Sequence, residues 1–176
     1  GGDRLKLETN ADLAGPGARS EMVGVVLGGA KQRFDHHTRH RHLSGDTWSN
    51  IDFKAALTEK ARSSYTGLIR IEENAARSEA FQENRNLLLS DDARADTIPE
   101  LEILTDDVSC SHGATAAPID PEQIFYLQSR GIPRREAVQL ILRGFLETTL
   151  AQVPATVRDS LEALVTERLA GLDEGV

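Results

Sequence analysis

The chain has a single cysteine, Cys110, standing two residues before His112 in the stretch Pro99-Glu-Leu-Glu-Ile-Leu-Thr-Asp-Asp-Val-Ser-Cys-Ser-His-Gly-Ala-Thr115. The stretch reads as an extended strand, which places Asp106, Val108, Cys110 and His112 on one face. A thiol beside an imidazole suits a soft metal, but two ligands do not close a tetrahedral site. Further ligands would have to come from elsewhere, such as a second chain.

Three other groupings could do chemistry. His36, His37, His40 and His42 lie close together, and His40 and His42 would share a strand face as possible metal ligands. Arg39 and Arg41 interleave with them and disfavour a cation, so a solvated turn is the simpler reading. Gly24-Val-Val-Leu-Gly28-Gly29-Ala30-Lys31 resembles a phosphate loop but lacks the Gly-Lys-Ser/Thr ending and a following helix, which argues against nucleotide binding. Asp91-Asp92 and Asp106-Asp107 are adjacent pairs, whose side chains point to opposite faces of a strand and form no acid–base couple alone.

Composition narrows the function classes. The net charge of −8 argues against a nucleic-acid platform, which needs a basic face. No apolar run approaches the ~20 residues of a membrane span. One cysteine excludes an internal disulfide framework and suits a reducing cytoplasm. Aromatics at 5% are sparse for a groove that stacks sugars or bases.

The elements that must position these residues fall into two parts, 1–117 and 118–176. In the first, Ile51, Phe53, Ala55 and Leu57 alternate with polar residues, as do Ile69 with Ile71 and Leu101 with Ile103. The apolar centres Phe34, Phe53, Ile69, Leu88 and Ile103 are too far apart for tight hairpins, and no helical pattern lies between them to serve as a crossover. A stacked parallel coil meets both constraints, with Gln82, Asn84 and Asn86 lining its interior. An antiparallel sandwich is the alternative. In the second part Asp120-Pro121 starts a helix that Gly131 ends, Pro133 starts another and Pro154 a third. Phe125, Leu140, Ile141, Phe145, Leu161 and Leu164 form their apolar stripe.

Several of these segments resemble the SufB/SufD family of iron–sulfur cluster assembly proteins. The wording Asp106-Asp107-Val108, Cys110-Ser111-His112-Gly113-Ala114-Thr115, Gln123-Ile124-Phe125-Tyr126-Leu127 and Ser129-Arg130-Gly131-Ile132 carries the likeness, which extends over about 20–150. Asn86-Leu87-Leu88-Leu89-Ser90 fits the same pattern. Within the family the Cys-Ser-His-Gly-Ala-Thr wording is closer to SufD than to SufB.

The resemblance implies a right-handed parallel β-helix over 1–117, truncated on its N-terminal side, followed by a small helical domain over 118–176. It implies a non-catalytic, cytoplasmic scaffold subunit with no tightly held cofactor, on which an iron–sulfur cluster forms transiently with partner subunits. The partners would be a SufB-like chain against the β-helix and a SufC-like ATPase on the helices, through Gly131, Ile132, Arg134, Arg135 and Arg143. His112 would be a cluster or metal ligand at the subunit interface, with Cys110 the weaker candidate. In isolation a homodimer would replace the missing partner. The alternatives are a β-helix carbohydrate-active enzyme and an interaction module without a metal role.

Overall fold

The computed structural model describes residues 2–171. The strands are β1 (Arg4–Leu13), β2 (Arg19–Gly28), β3 (Arg33–His42), β4 (Trp48–Leu57), β5 (Arg62–Ile71), β6 (Ser78–Leu88), β7 (Arg94–Ile103) and β8 (Val108–Pro118). The helices α1 (Pro121–Ser129), α2 (Arg134–Leu150) and α3 (Ala155–Gly171) follow.

Odd-numbered strands form one sheet in the order β1-β3-β5-β7, and even-numbered strands a second in the order β2-β4-β6-β8. All pairings are parallel, which excludes the antiparallel sandwich. The chain is a β-solenoid of about four turns, two strands to a turn. Phe34, Phe53, Ile69, Leu88 and Ile103 lie on alternate sheets, so their irregular spacing measures half-turns. The full repeat appears in the register, where Arg4 pairs with Arg33, Arg33 with Arg62, and Arg62 with Arg94.

Alternation places every second residue between the sheets. Ile51, Phe53, Tyr65, Ile69, Ile71 and Ala80 form one buried cluster, and Val26, Ala55, Leu57, Ala61 and Ala93 another. Two glycines leave room for large neighbours. A Cβ at Gly24 would stand 2.3 Å from the Phe53 ring, and one at Gly67 would stand 2.4 Å from the Gln82 amide. Gln82, Asn84 and Asn86 do line the interior, and their amides feed backbone carbonyls: Gln82 donates to Gly67, Asn84 to Phe53, and Asn86 to Thr115. Such pairing is what makes a buried amide tolerable.

The corners repeat as well. Gly17, Asp46 and Arg77 occupy equivalent corners with φ of 71°, 58° and 58°, and Ala30 and Glu59 do so on the opposite side with 51° and 52°. Left-handed backbone costs a non-glycine residue about 1 kcal/mol or more, which the corner ladder offsets. Asp46 N–H donates to the Ala76 carbonyl one turn on, and the Arg77 guanidinium grips the Asp46 carboxylate at 2.6 and 2.7 Å.

Helix α2 covers the outer face of the even sheet. Ile124, Val138, Leu142, Leu146 and Leu150 pack with Ala56, Val25, Leu27 and Leu87, so the helices share their core with the solenoid. A polar clasp adds to this contact. Lys54 Nζ donates to the Phe145 carbonyl at 2.9 Å and to Thr148 Oγ1, and Asp52 Oδ2 accepts from Thr149 at 2.6 Å and Gln152 at 2.8 Å. Of the expected stripe Ile141 and Phe145 pack on this core, whereas Leu140, Leu161 and Leu164 are exposed and Val138, Leu142 and Leu146 are buried in their place. The helix starts follow the expected logic, with the Asp120 carboxylate accepting from Glu122 N–H and Gly131 at φ 84° after α1.

Candidate functional site

Strand β8 belongs to the last turn of the solenoid. It pairs with β6 along one edge and with no strand along the other among the described residues. Register sets each of its side chains over a residue of the preceding turn: Cys110 over Ala80, and His112 over Gln82. Both lie on the face that is interior in earlier turns. At the open end that face is bare, and His112, Ala114 and Ala116 are exposed along it.

Cys110 and His112 therefore meet different surroundings. Cys110 is half-buried and packs on the cluster of Ile51, Phe53, Tyr65 and Ala80. Burial pushes its thiol up, opposed by a backbone hydrogen bond at Ala80. A raised thiol is a poorer thiolate source, hence a poorer ligand. His112 is exposed, with no hydrogen-bond partner among the described residues. Its imidazole is free to meet a group brought by another molecule.

The strand begins at Val108, so Asp106 does not share its face. Leu104–Asp107 forms the corner between β7 and β8, where the Asp107 carbonyl accepts from Arg77 N–H. Asp91 and Asp92 are exposed at the preceding corner of the opposite side. Asp91 and Asp92 line a shallow cleft with Asp3 and Glu59, where Arg4, Lys31, Arg33 and Lys60 set basic groups among the carboxylates.

The four clustered histidines are not a solvated turn. They lie along β3, with His36, His40 and His42 buried between the sheets and His37 outside against Asp35 at 2.9 Å. Strand alternation at 36, 40 and 42 was the available signal, and the interleaved Arg39 and Arg41 masked it by reading as a polar run. His42 Nδ1 bonds Thr47 Oγ1 at 2.7 Å and Nε2 bonds Ser49 Oγ at 2.8 Å. His40 Nε2 is 3.3 Å from Ser20 Oγ, while its Nδ1 has no partner among the described residues. Burial pushes both imidazoles down to about 4, for His40 with help from the neighbouring His42. Both rings are thus neutral at physiological pH, as ligands must be, but no group of three or more His, Cys, Asp or Glu among the described residues could hold a metal ion.

On the helices, Gly131, Arg134, Arg135 and Arg143 are exposed and Ile132 is half-buried. The larger features there are Phe125 at 72% and Tyr126 at 55% exposure, with the Arg130 guanidinium stacked 4.5 Å from the Tyr126 ring centre. Helical periodicity assigned Phe125 to the core. Helix α1 buries only Ile124 fully, leaving its aromatic face outward.

Comparison with known proteins completes this description. The family model for the SufBD core domain of the SUF iron–sulfur cluster assembly system matches residues 1–145. SufD of Escherichia coli is 36% identical over 97% of this chain and 41% of its own length. An iron–sulfur cluster assembly SufBD family protein of Mycobacterium tuberculosis is 34% identical over 96% of this chain and 45% of its own length. A second SufBD family protein, from Mycobacterium leprae, is 32% identical over 90% of this chain and 18% of its own length. The chain thus spans less than half the length of these relatives. No helix among the described residues is long and apolar enough to cross a membrane.

Proposed function

Because this chain belongs to the SufBD family of iron–sulfur cluster assembly proteins, we propose that it is a non-catalytic scaffold subunit of a SufBCD-type complex in the cytoplasm. The last solenoid turn meets a SufB-like chain, and the C-terminal helices dock a SufC-like ATPase. The observation that carries this reading is the exposed His112 on the strand with an unpaired edge. An open parallel edge extends readily by adding a partner's strand, and a partner seated there would bring its own ligands beside the imidazole. A cluster forming at that junction takes thiolate and imidazole ligands, so His112 supplies one ligand and the partner the others. The half-buried Cys110 packs beneath it. The cluster is cargo passed on from the complex.

The helical end has the features of a docking surface: Phe125 and Tyr126 are exposed and Arg130 is stacked on the tyrosine. Aromatic and arginine side chains dominate binding energy at protein interfaces. Gly131, Ile132, Arg134 and Arg135 follow directly in the link to α2 and its first turn, and Arg143 is exposed further along that helix. Movement of the docked ATPase would reach the solenoid through α2, which the Lys54 and Asp52 clasp fixes to β4. The reading is tested by capturing a SufC-like ATPase on the chain and on its Phe125→Ser/Tyr126→Ser variant. Loss of capture by the variant, with unchanged thermal unfolding, supports the docking role, and equal capture removes it.

A further inference from the structure

The outer face of the odd sheet carries a column of like charges. Register stacks Arg4, Arg33, Arg62 and Arg94 directly above one another at the start of β1, β3, β5 and β7, all pointing outward and exposed. Parallel strands lie about 4.8 Å apart, so the column is about 14 Å long. Like charges opposite one another on neighbouring strands are destabilising. At the other end of the same sheet the chain avoids this cost. There the stacked column is Asp12, Arg41, Arg70 and Glu102, in which Arg41 lies 3.7 Å from Asp12 and Arg70 lies 2.8 Å from Glu102, with Glu72 bridging both arginines. The first column has no such neutralisation. Arg4, Arg33 and Arg62 have no carboxylate partner among the described residues, and Arg94 bonds only the carbonyls of Asp91 and Ala93.

We propose that this arginine column is a docking site for a short, extended acidic peptide segment of a partner protein, lying across the strands with its carboxylates in the guanidinium forks. A shallow cleft of about 360 Å³ runs along it, lined by Arg4, Lys6, Arg33 and Arg62, with Asp35 and Asp96 also in its wall. The planar fork of arginine matches a carboxylate with two hydrogen bonds. In an extended segment, alternate side chains on one face are about 7 Å apart, so three carboxylates span about 14 Å, the length of the column. Acids stand at both ends of that length, Asp3 next to Arg4 and Asp91, Asp92 and Asp96 near Arg94, and Asp35 flanks Arg33. A long polyanion such as a nucleic acid would run onto the flanking acids and the net charge of −8, whereas a short acidic stretch would not.

The test is fluorescence anisotropy of a labelled five-residue peptide, Glu-Ser-Glu-Ser-Glu, with the intact chain at low salt, alongside its Gln counterpart and a single-stranded oligonucleotide of similar length. The Glu peptide is expected to bind, and Arg33→Gln/Arg62→Gln should weaken it about fivefold or more, whereas Arg70→Gln should leave it within about twofold. The double variant should unfold at the same or a higher temperature, since it relieves repulsion between stacked charges; a column kept for stability would give a lower one. Equal binding of the Glu and Gln peptides, tighter binding of the oligonucleotide, or insensitivity to the Arg33 and Arg62 changes overturns the proposal.

Discussion

His40 and His42 are imidazoles held neutral inside a parallel coil. Burial pushes both down to about 4, whereas an imidazole in an unfolded chain titrates near its ordinary 6.5. Between those values the unfolded state binds more protons, so stability falls as pH is lowered through this window and is fully restored above it. At about 1.4 kcal/mol per unit of pKa, the loss is on the order of 3 kcal/mol for each ring. The thermal midpoint should therefore drop steeply between pH 6.5 and 4, and His40→Gln should flatten the profile; a level midpoint across that range would contradict the burial account. Gly24 makes a second demand at this scale. Its missing side chain is the space occupied by the Phe53 ring, so Gly24→Ala should cost about 1–3 kcal/mol by overpacking. Adding Phe53→Leu should recover part of the loss in denaturant titrations, and additive losses would refute the contact.

At the scale of the element, α2 is tied to β4 by apolar packing and by the clasp at Lys54 and Asp52. Asp52→Ala leaves the buried Thr149 hydroxyl without its acceptor and Gln152 Nε2 with only the Thr148 carbonyl, at about 1–3 kcal/mol. Hydrogen exchange should then speed up in α2 while β5 stays protected, and uniform acceleration would mean that helix and solenoid open together. The strands of β4 and β5 and the three helix starts were legible in the sequence, because alternation and capping residues are local signals. The polar interior of β3 was not. Buried histidine, threonine and serine look like a surface until the facing strand that satisfies them is known. The corner at Leu104–Asp107 was hidden for a related reason: apolar residues lie on both sides of it, and the turn uses no glycine or proline.

For the whole molecule, the two end turns matter most. At one end β7 and β8, and at the other β1 and β2, have one neighbouring strand each among the described residues. Leu5 and Leu7 at one end and Ile98, Ile103 and Leu104 at the other are exposed. In isolation the chain is expected to dimerise through the β8 end, and Ala114→Lys should shift it to monomer without unfolding it, since lysine blunts an open edge. Light scattering across a concentration series reads this directly, and a monomer at high concentration would contradict it. The parallel coil itself could be read from strand spacing, whereas the site could be read only in part. Cys110 and His112 share a face as their spacing implies, but which of them is accessible depends on β8 belonging to the last turn, a fact of topology that no local pattern contains.

The most direct test of the central claim is anaerobic iron and sulfide reconstitution of the complex formed with SufB-like and SufC-like subunits, followed by cluster absorbance. With His112→Ala in this chain, most of the absorbance should be lost while light scattering finds the complex intact, and Cys110→Ala should retain most of it. Full cluster build-up with His112→Ala would contradict the account.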